Sequence, residues 1–245
     1  MPGIGVIVNV ATVLAGTAIG LVFGRLIAER FRKIAFVALG LSTFSIGSVM
    51  VIGGLMKADA AGSKYAVLVL VVSLVVGGLL GEAIGIEAWL TRFGQWLRKV
   101  AYRIPFFAAS GGGEHQMVEG FVAASLLYCV GTMTIIGSLQ DGLGSPNLLY
   151  LKALLDGIAS VALASALGIG VGFSVIPILI VQGGIALGAH WLQPFLTEPV
   201  VREMSTVGGT LILAIGLDLM DIKRLPVGNL MPAVFVAGLL GAFFG

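Results

Sequence analysis

The chain has 245 residues, of which 58% are hydrophobic and only 11% charged, with a formal net charge of +2 and a mean hydropathy of +1.08. A soluble domain carries about 25% charged residues, so this chain has too few polar side chains to cover a water-facing surface, and lipid has to be its solvent. A water-soluble domain is excluded, and nucleic acid finds no support as a partner, because the basic residues flank apolar runs instead of forming a patch.

A membrane-crossing helix needs about 20 mostly apolar residues. Eight such runs are expected, seven being the alternative, within a single membrane domain over 1–245. Span 1 covers about 4–24 and has no basic region before it, so it reads as a retained anchor and not a cleaved leader. Span 2 covers about 34–56 and span 3 about 65–86. Gly16, Gly20 and Gly24 in span 1, and Gly77, Gly81 and Gly85 in span 3, form stripes at i, i+4 and i+8. Small residues let helices approach closely where lipid gives no hydrophobic drive to associate, so helix packing is their expected role. Such faces are also compatible with a homo-oligomer.

Residues 87–116 follow as an amphipathic helix and a loop. Trp89, Leu90, Phe93, Trp96, Leu97 and Val100 recur at helical spacing, while Arg92, Gln95, Arg98 and Lys99 face away. Trp combined with a basic polar face predicts a helix lying in the headgroup plane. Glu114 and His115, beside Gly111-Gly112-Gly113, read as solvated.

Residues 117–169 hold spans 4 and 5, at about 117–139 and 146–168. Span 4 carries Ser125, Cys129 and Thr132 along one side, with Tyr128 and Gly131 beside them; these hydroxyls line a path or bond back to their own helix. Span 5 has Ser145 as its expected N-cap and Pro146 at its first position. Lys152, Asp156 and Ser160 are spaced i, i+4, i+8 and share one face, with Lys152 about 10 Å and Asp156 about 16 Å along the axis. A charge at a span's centre costs at least about 2.5–3.5 kcal/mol. That face therefore has to look onto protein or a water-filled cavity, either as an ion or solute site or as an internal pair that fixes packing.

Residues 146–193 are too long an apolar run for one crossing, and Gly168-Ile169-Gly170-Val171-Gly172 is the expected break, buried or re-entrant because it has no charge. Span 6 follows at about 173–193, span 7 at 204–221 and span 8 at 228–245, the last with Gly241 and Gly245 for packing. With eight crossings, Arg25, Arg30, Arg32, Lys33, Arg92, Arg98, Lys99, Arg103, Lys223 and Arg224 fall on one side, opposite Lys57, Lys64 and Arg202. The positive-inside rule then puts both termini outside.

An internal repeat is also readable. Gly78, Gly81 and Gly85 match Gly238, Gly241 and Gly245 in spacing; Gly40 and Gly47 match Gly209 and Gly216; Ile7-Val8-Asn9 matches Ile180-Val181-Gln182. Spans 1–3 (1–86) and 6–8 (170–245) would then be copies of opposite orientation, the inverted 3+3 arrangement of many transporters. Asn9 and Gln182 join the pathway candidates on that basis. Asp218 and Asp221, like Glu82, read as interfacial.

A lone Cys129 rules out an internal disulfide. His115 and His190 lie in different segments, so no metal and no cofactor is expected. No phosphate loop, metalloprotease motif or hydrolase triad is present, and an enzyme is not expected.

Several motifs carry a family resemblance. Gly120-Phe121-Val122-Ala123-Ala124-Ser125-Leu126-Leu127-Tyr128-Cys129-Val130-Gly131 leads into Gly137-Ser138-Leu139-Gln140-Asp141-Gly142. Leu151-Lys152-Ala153-Leu154-Leu155-Asp156-Gly157, Gln182-Gly183-Gly184 and Gly228-Asn229-Leu230-Met231-Pro232 follow. Together these resemble the YdfK/YqgA-like bacterial membrane proteins, the domain-of-unknown-function 554 family, over the whole chain. The resemblance implies a bacterial inner-membrane protein and supplies no functional residues. The expectation is an all-α polytopic membrane protein acting as a small secondary transporter or ion-conducting protein for an ion or small solute. Its pathway candidates are Lys152, Asp156, Ser160, Asn9, Gln182, Ser125 and Thr132. The alternative is a scaffold or sensor that binds another membrane protein.

Overall fold

The computed structural model describes residues 2–24, 29–101, 114–129 and 132–244. Among them every regular element is helical: α1 (Ile4–Gly24), α2 (Glu29–Ala60), α3 (Ala66–Ile84), α4 (Ile86–Ala101), α5 (Glu114–Cys129), α6 (Thr132–Gly142) and α7 (Asn147–Leu167) come first. Then follow α8 (Gly170–Phe173), α9 (Val175–Leu187), α10 (Ala189–Leu192), α11 (Glu198–Leu219), α12 (Val227–Leu230) and α13 (Pro232–Phe244). Helix is what the membrane requires, since only it satisfies the backbone within one segment. Seven described segments are long and apolar enough to cross: Ile4–Phe23, Val37–Ala60, Ala66–Ile84, Asn147–Leu167, Gly170–Leu187, Glu198–Leu219 and Val227–Phe244. The α5–α6 pair makes an eighth, bent by 64°. It runs antiparallel to α7, with Gly120 beside Leu167 at one end and Gly137 beside Leu149 at the other, so it traverses the same thickness.

Two long helix pairs organise the bundle. α1 and α7 run parallel: a Cβ on Gly16 would lie 2.2 Å from the Gly157 carbonyl oxygen, and one on Gly20 2.5 Å from that of Val161. α2 and α11 run antiparallel, with Gly47 facing Gly209 and Gly40 facing Gly216; a Cβ on Gly47 would sit 2.7 Å from the Gly209 carbonyl. Backbone meets backbone in both pairs, which only glycine permits. Gly77 and Gly81 play the same part against Ala233 and Asn229, and Gly241 against Val200 and Glu203. Gly85 does not: it has no neighbour within 4 Å and closes α3 in the left-handed region at φ 70°, so it is a helix terminator and not a packing residue. The surroundings of Gly24 and Gly245 lie outside the described residues.

These pairings put the start of α2, the whole of α4, the start of α5 and the α11–α12 connection at one end of the bundle, where Arg224 pairs with Glu119 at 2.7 Å. The described basic residues Arg30, Lys33, Arg92, Arg98, Lys99, Lys223 and Arg224 gather there, while Arg25, Arg103 and the Arg32 side chain lie outside the described residues. Gly5 and Phe244 mark the opposite end, Phe244 packing edge-on against Tyr65. α4 presents Leu97 and Gly94 to α5 and leaves Trp89 and Trp96 more than half exposed on its flank, the disposition of a helix seated in the headgroup layer.

Four further expectations change. Span 4 is not one straight helix, since it breaks between α5 and α6. Ser145 makes no capping bond; α7 begins at Asn147, with the Pro146 carbonyl accepting the first helical bond from Tyr150 at 2.9 Å. Span 7 starts six residues earlier than read, with Pro199 in the first turn of α11. Arg202 therefore lies within the span instead of in an outer loop: it is buried, as is Glu203, whose Oε1 accepts from the Arg202 guanidinium at 3.1 Å. The break after span 5 is where the glycines predict it, at Gly168 with φ 75°, and it is packed in protein, since a Cβ on Gly170 would strike the Met117 carbonyl.

Candidate functional site

The cluster begins with one face of α7. Lys152 and Asp156 stand one turn apart, 5% and 7% exposed, and Lys152 Nζ donates to Asp156 Oδ2 at 2.5 Å. A lone charge here would have to be expelled to water; two opposite charges a turn apart neutralise each other within one helix. Ser160, a turn further on, donates to the Asp156 carbonyl at 2.7 Å. Its single hydrogen is then used, so the Tyr128 hydroxyl, 2.7 Å away, is the donor to Ser160 Oγ. The Tyr128 ring also lies under Lys152, 5.9 Å from Nζ to the ring centre, within cation–π range.

Two amides complete the cluster, and their orientations follow from their partners. α5 ends just past Tyr128, leaving its carbonyl without the helical bond that a continuous helix would supply. Thr134 Oγ1 donates to that carbonyl at 3.0 Å and Gln182 Nε2 at 3.4 Å. Gln182 thereby turns its Oε1 toward Asn9. Asn9 faces two acceptors, Gln182 Oε1 and Asp156 Oδ2, both 3.0 Å away, so its NH2 must point at them. Asn9 Oδ1 is left fully buried with no hydrogen-bond partner. An unmet acceptor of this kind costs about 1–3 kcal/mol, and among the described residues of the cluster it is the one fully buried side-chain oxygen with no partner. Thr12 locks α1 in place by donating to the Ala153 carbonyl at 2.8 Å.

Thus α1, α5, α7 and α9 bring Asn9, Tyr128, Lys152, Asp156, Ser160 and Gln182 into one cluster. Ser125 is not among them: its hydroxyl returns to the Phe121 carbonyl at 2.5 Å on its own helix. The Thr132 side chain lies outside the described residues. Several polar groups escape a reading of spacing alone. Tyr128 enters through its carbonyl, which has no side-chain signature. Asp141 is fully buried and accepts from the backbone amides of Gly5 and Val6 at 3.0 and 3.1 Å, capping α1 from another helix. Glu203, with Oε2 buried and unpartnered, was hidden by its position at a span's edge.

Among the described residues two cavities lie near the cluster, and neither is lined by Lys152 or Asp156. One, of about 200 Å3, lies at the basic end between α4, α5 and α11; Glu87, Glu119, Asp218 and Arg224 line it and it reaches Leu126. Glu87 sits outside the spans, where burial pushes its carboxyl above the usual carboxylate range, against the opposing pull of the Gly228 backbone N–H. The other cavity, of about 490 Å3, lies on the opposite half of α5 and has Cys129 in its lining. Among the described residues no group of three or more His, Cys, Asp or Glu is placed to hold a metal ion.

Comparison with known proteins adds the lineage. The chain is 31% identical over 233 residues, 95% of its length and 93% of the relative's, to the "Uncharacterized membrane protein YdfK" of Bacillus subtilis. It is 30% identical over 244 residues, 98% of its length and 96% of the relative's, to the "Uncharacterized protein YqgA" of Escherichia coli. No solved structure matches it at a significant level. Residues 4–242 match the family described as "Protein of unknown function (DUF554)". With a bundle of apolar crossing helices and relatives matched nearly end to end, the chain is a multi-pass membrane protein of the DUF554 family.

Proposed function

We propose that this chain is a small secondary transporter or ion-conducting protein of the bacterial inner membrane, not an enzyme. Its site is the Asn9–Lys152–Asp156–Gln182 cluster. The observation that carries this reading is the unpartnered Asn9 Oδ1 within a buried, charge-bearing network built around a broken helix. A pair needed only for packing would require neither a helix broken beside it nor amides brought to it from two further helices. Interrupted helices at mid-membrane, with unwound carbonyls and polar side chains facing inward, are how transporters assemble ion and solute sites. Asp156 can exchange Lys152 for a solute or a proton, and Lys152 Nζ has donors to spare for an anionic group.

The reading includes the inverted repeat of 1–86 and 170–245. It is supported by Asn9 bonding its own counterpart Gln182, and by Gly40 and Gly47 packing crosswise on Gly216 and Gly209, each against the counterpart of the other, as two antiparallel helices related by a two-fold would pack. The positive-inside rule places the basic end in the cytoplasm and both termini outside.

The test is flux through reconstituted proteoliposomes, followed with proton, sodium, potassium and chloride reporters and with small carboxylates. Asp156→Asn should abolish the flux or its dependence on pH. Wild-type flux in that variant, at equal protein content, would remove the assignment.

A second reading, a non-transporting scaffold or sensor, draws on the closed hydrogen bonding between Lys152 and Asp156. The glycine faces that would bind a partner are engaged within the chain, which leaves the exposed Trp89 and Trp96 flank of α4 as the docking surface. Absence of any flux together with capture of a membrane partner that depends on Trp89 and Trp96 would favour it.

A further inference from the structure

The cavity of about 490 Å3 is a groove between α9, α11 and α13, closed off at the back by α6. Val181 and Ile185 form one wall, Met204 another, and the exposed Phe235 and Leu239 the rim, with the buried Cys129 also in the lining. No side chain in its wall is charged or carries a hydroxyl or an amide. Phe235 and Leu239 are 71% and 63% exposed in the middle of the Val227–Phe244 span. The groove therefore opens sideways, toward hydrocarbon, and runs on to Leu192 at the end of α10 and to Phe195 and Leu196 in the α10–α11 connection.

Such a space cannot be wet, because water needs two or more polar partners. Left empty, its lining atoms would lose their dispersion contacts on one side. The phase at its mouth is lipid, and its size fits: an engineered cavity of about 150 Å3 holds one benzene, and this groove is roughly three times larger, room for one alkyl chain of roughly eighteen carbons. It is also unlike the convex surface that boundary lipids cover. Cys129 in its lining is only 8% exposed, so a chain seated against it is enclosed on several sides.

We propose that this groove is a binding site for one alkyl chain of a membrane lipid, drawn from the half of the bilayer nearer the chain termini and ending with its methyl group at Cys129. The position links it to the cluster without overlapping it. Cys129 follows Tyr128, whose carbonyl holds Gln182, and Val181 in the wall precedes Gln182. The seated chain props the end of α5 and the face of α9 from behind. The inference does not depend on transport; it assigns a lipid to this groove whatever the cluster carries.

The native Cys129 is the only cysteine, so it reports on the groove without engineering. In lipid nanodiscs, alkyl methanethiosulfonates should modify it at least tenfold faster than the charged sulfonatoethyl reagent. A diazirine-bearing stearoyl phospholipid should crosslink to the Val181–Ile185 and Phe235–Leu239 segments in preference to the lipid-facing surface of α3. Leu239→Trp, at the rim, should cut both by several-fold while leaving Cys129 equally reactive in denatured protein. Equal rates with the charged reagent would mean a water-filled groove and overturn the proposal. So would crosslinking spread evenly over the surface, as bulk lipid gives, or protection of Cys129 that rises with protein concentration, as a second copy gives. Should Leu239→Trp fail to fold, Phe235→Trp at the same rim makes the same comparison. Loss of flux in Asp156→Asn with these results intact would leave both readings standing; intact flux in that variant would remove the cluster assignment alone.

Discussion

The two long helix pairs, α1–α7 and α2–α11, are built alike and contain different things. Both bring backbone against backbone through glycines, Gly16 on Gly157 and Gly47 on Gly209. The α2–α11 crossing is filled by small and apolar residues over most of its length, and its buried charges, Arg202 and Glu203, sit at one end. The α1–α7 pair encloses Asn9, Thr12, Lys152, Asp156 and Ser160 along its middle. Close packing alone does not require charge along the middle of a pair, since the neighbouring pair keeps its buried charges at one end. The excess marks the α1–α7 pair as the region shaped by something other than stability.

The largest expected effect tests that excess. Lys152→Met strands Asp156 in the bundle and should destabilise the protein by about 3–5 kcal/mol, whereas Lys152→Met with Asp156→Leu should recover most of the loss. Thermal unfolding in detergent reads both; a double variant no better than the single would mean that the pair is not the coupled unit described. Next, Gly47→Leu and Gly16→Leu should each cost about 3 kcal/mol or prevent folding, because the new Cβ meets a carbonyl oxygen that cannot move aside. Equal losses would confirm that the two pairs share one packing principle, and a mild Gly16→Leu would break the comparison. Asn9→Leu should cost only about 1 kcal/mol, the usual size of an interhelical hydrogen bond in a membrane, and yet should change flux far more than Ile212→Val, a trim of the buried core with a similar cost of about 1 kcal/mol.

The smallest effect lies at the basic end. Glu87 has its folded pKa raised, so the folded state holds that proton more tightly than the unfolded one. Stability should fall as pH climbs from the ordinary carboxylate value to the raised one, and be unaffected by this group below that window. Glu87→Gln should flatten that slope in unfolding curves taken across the acidic range; an unchanged slope would place its origin elsewhere.

How much of this could be read from the chain depended on what lipid forces into the side chains. The crossings are legible because each must be one long apolar run, and Gly168 because an uncharged turn needs glycine to bend. The Lys152, Asp156 and Ser160 face is legible from spacing, and Asn9 with Gln182 from the matched register of two apolar spans. The break after α5 is not, for the surrounding run is apolar and carries no proline. Arg202 and Glu203 look like loop residues, because charge near a span's edge is ordinarily outside it, and Pro199 starts the helix before them. The contribution of the Tyr128 carbonyl is invisible for a deeper reason: every residue has one, and only a helix end decides which is free.

The turn-to-turn spacing of Lys152 and Asp156 bears on how the protein is made. α1 leaves the ribosome more than a hundred residues before α7, the partner it lies along, so Asn9 must wait in the bilayer without its acceptor; an amide tolerates that delay. A naked carboxylate would not. Because Asp156 arrives with its own counter-ion on the same segment, α7 can be handed to lipid as an electrically neutral rod, and the charges need never be exposed singly on the way to their final neighbours.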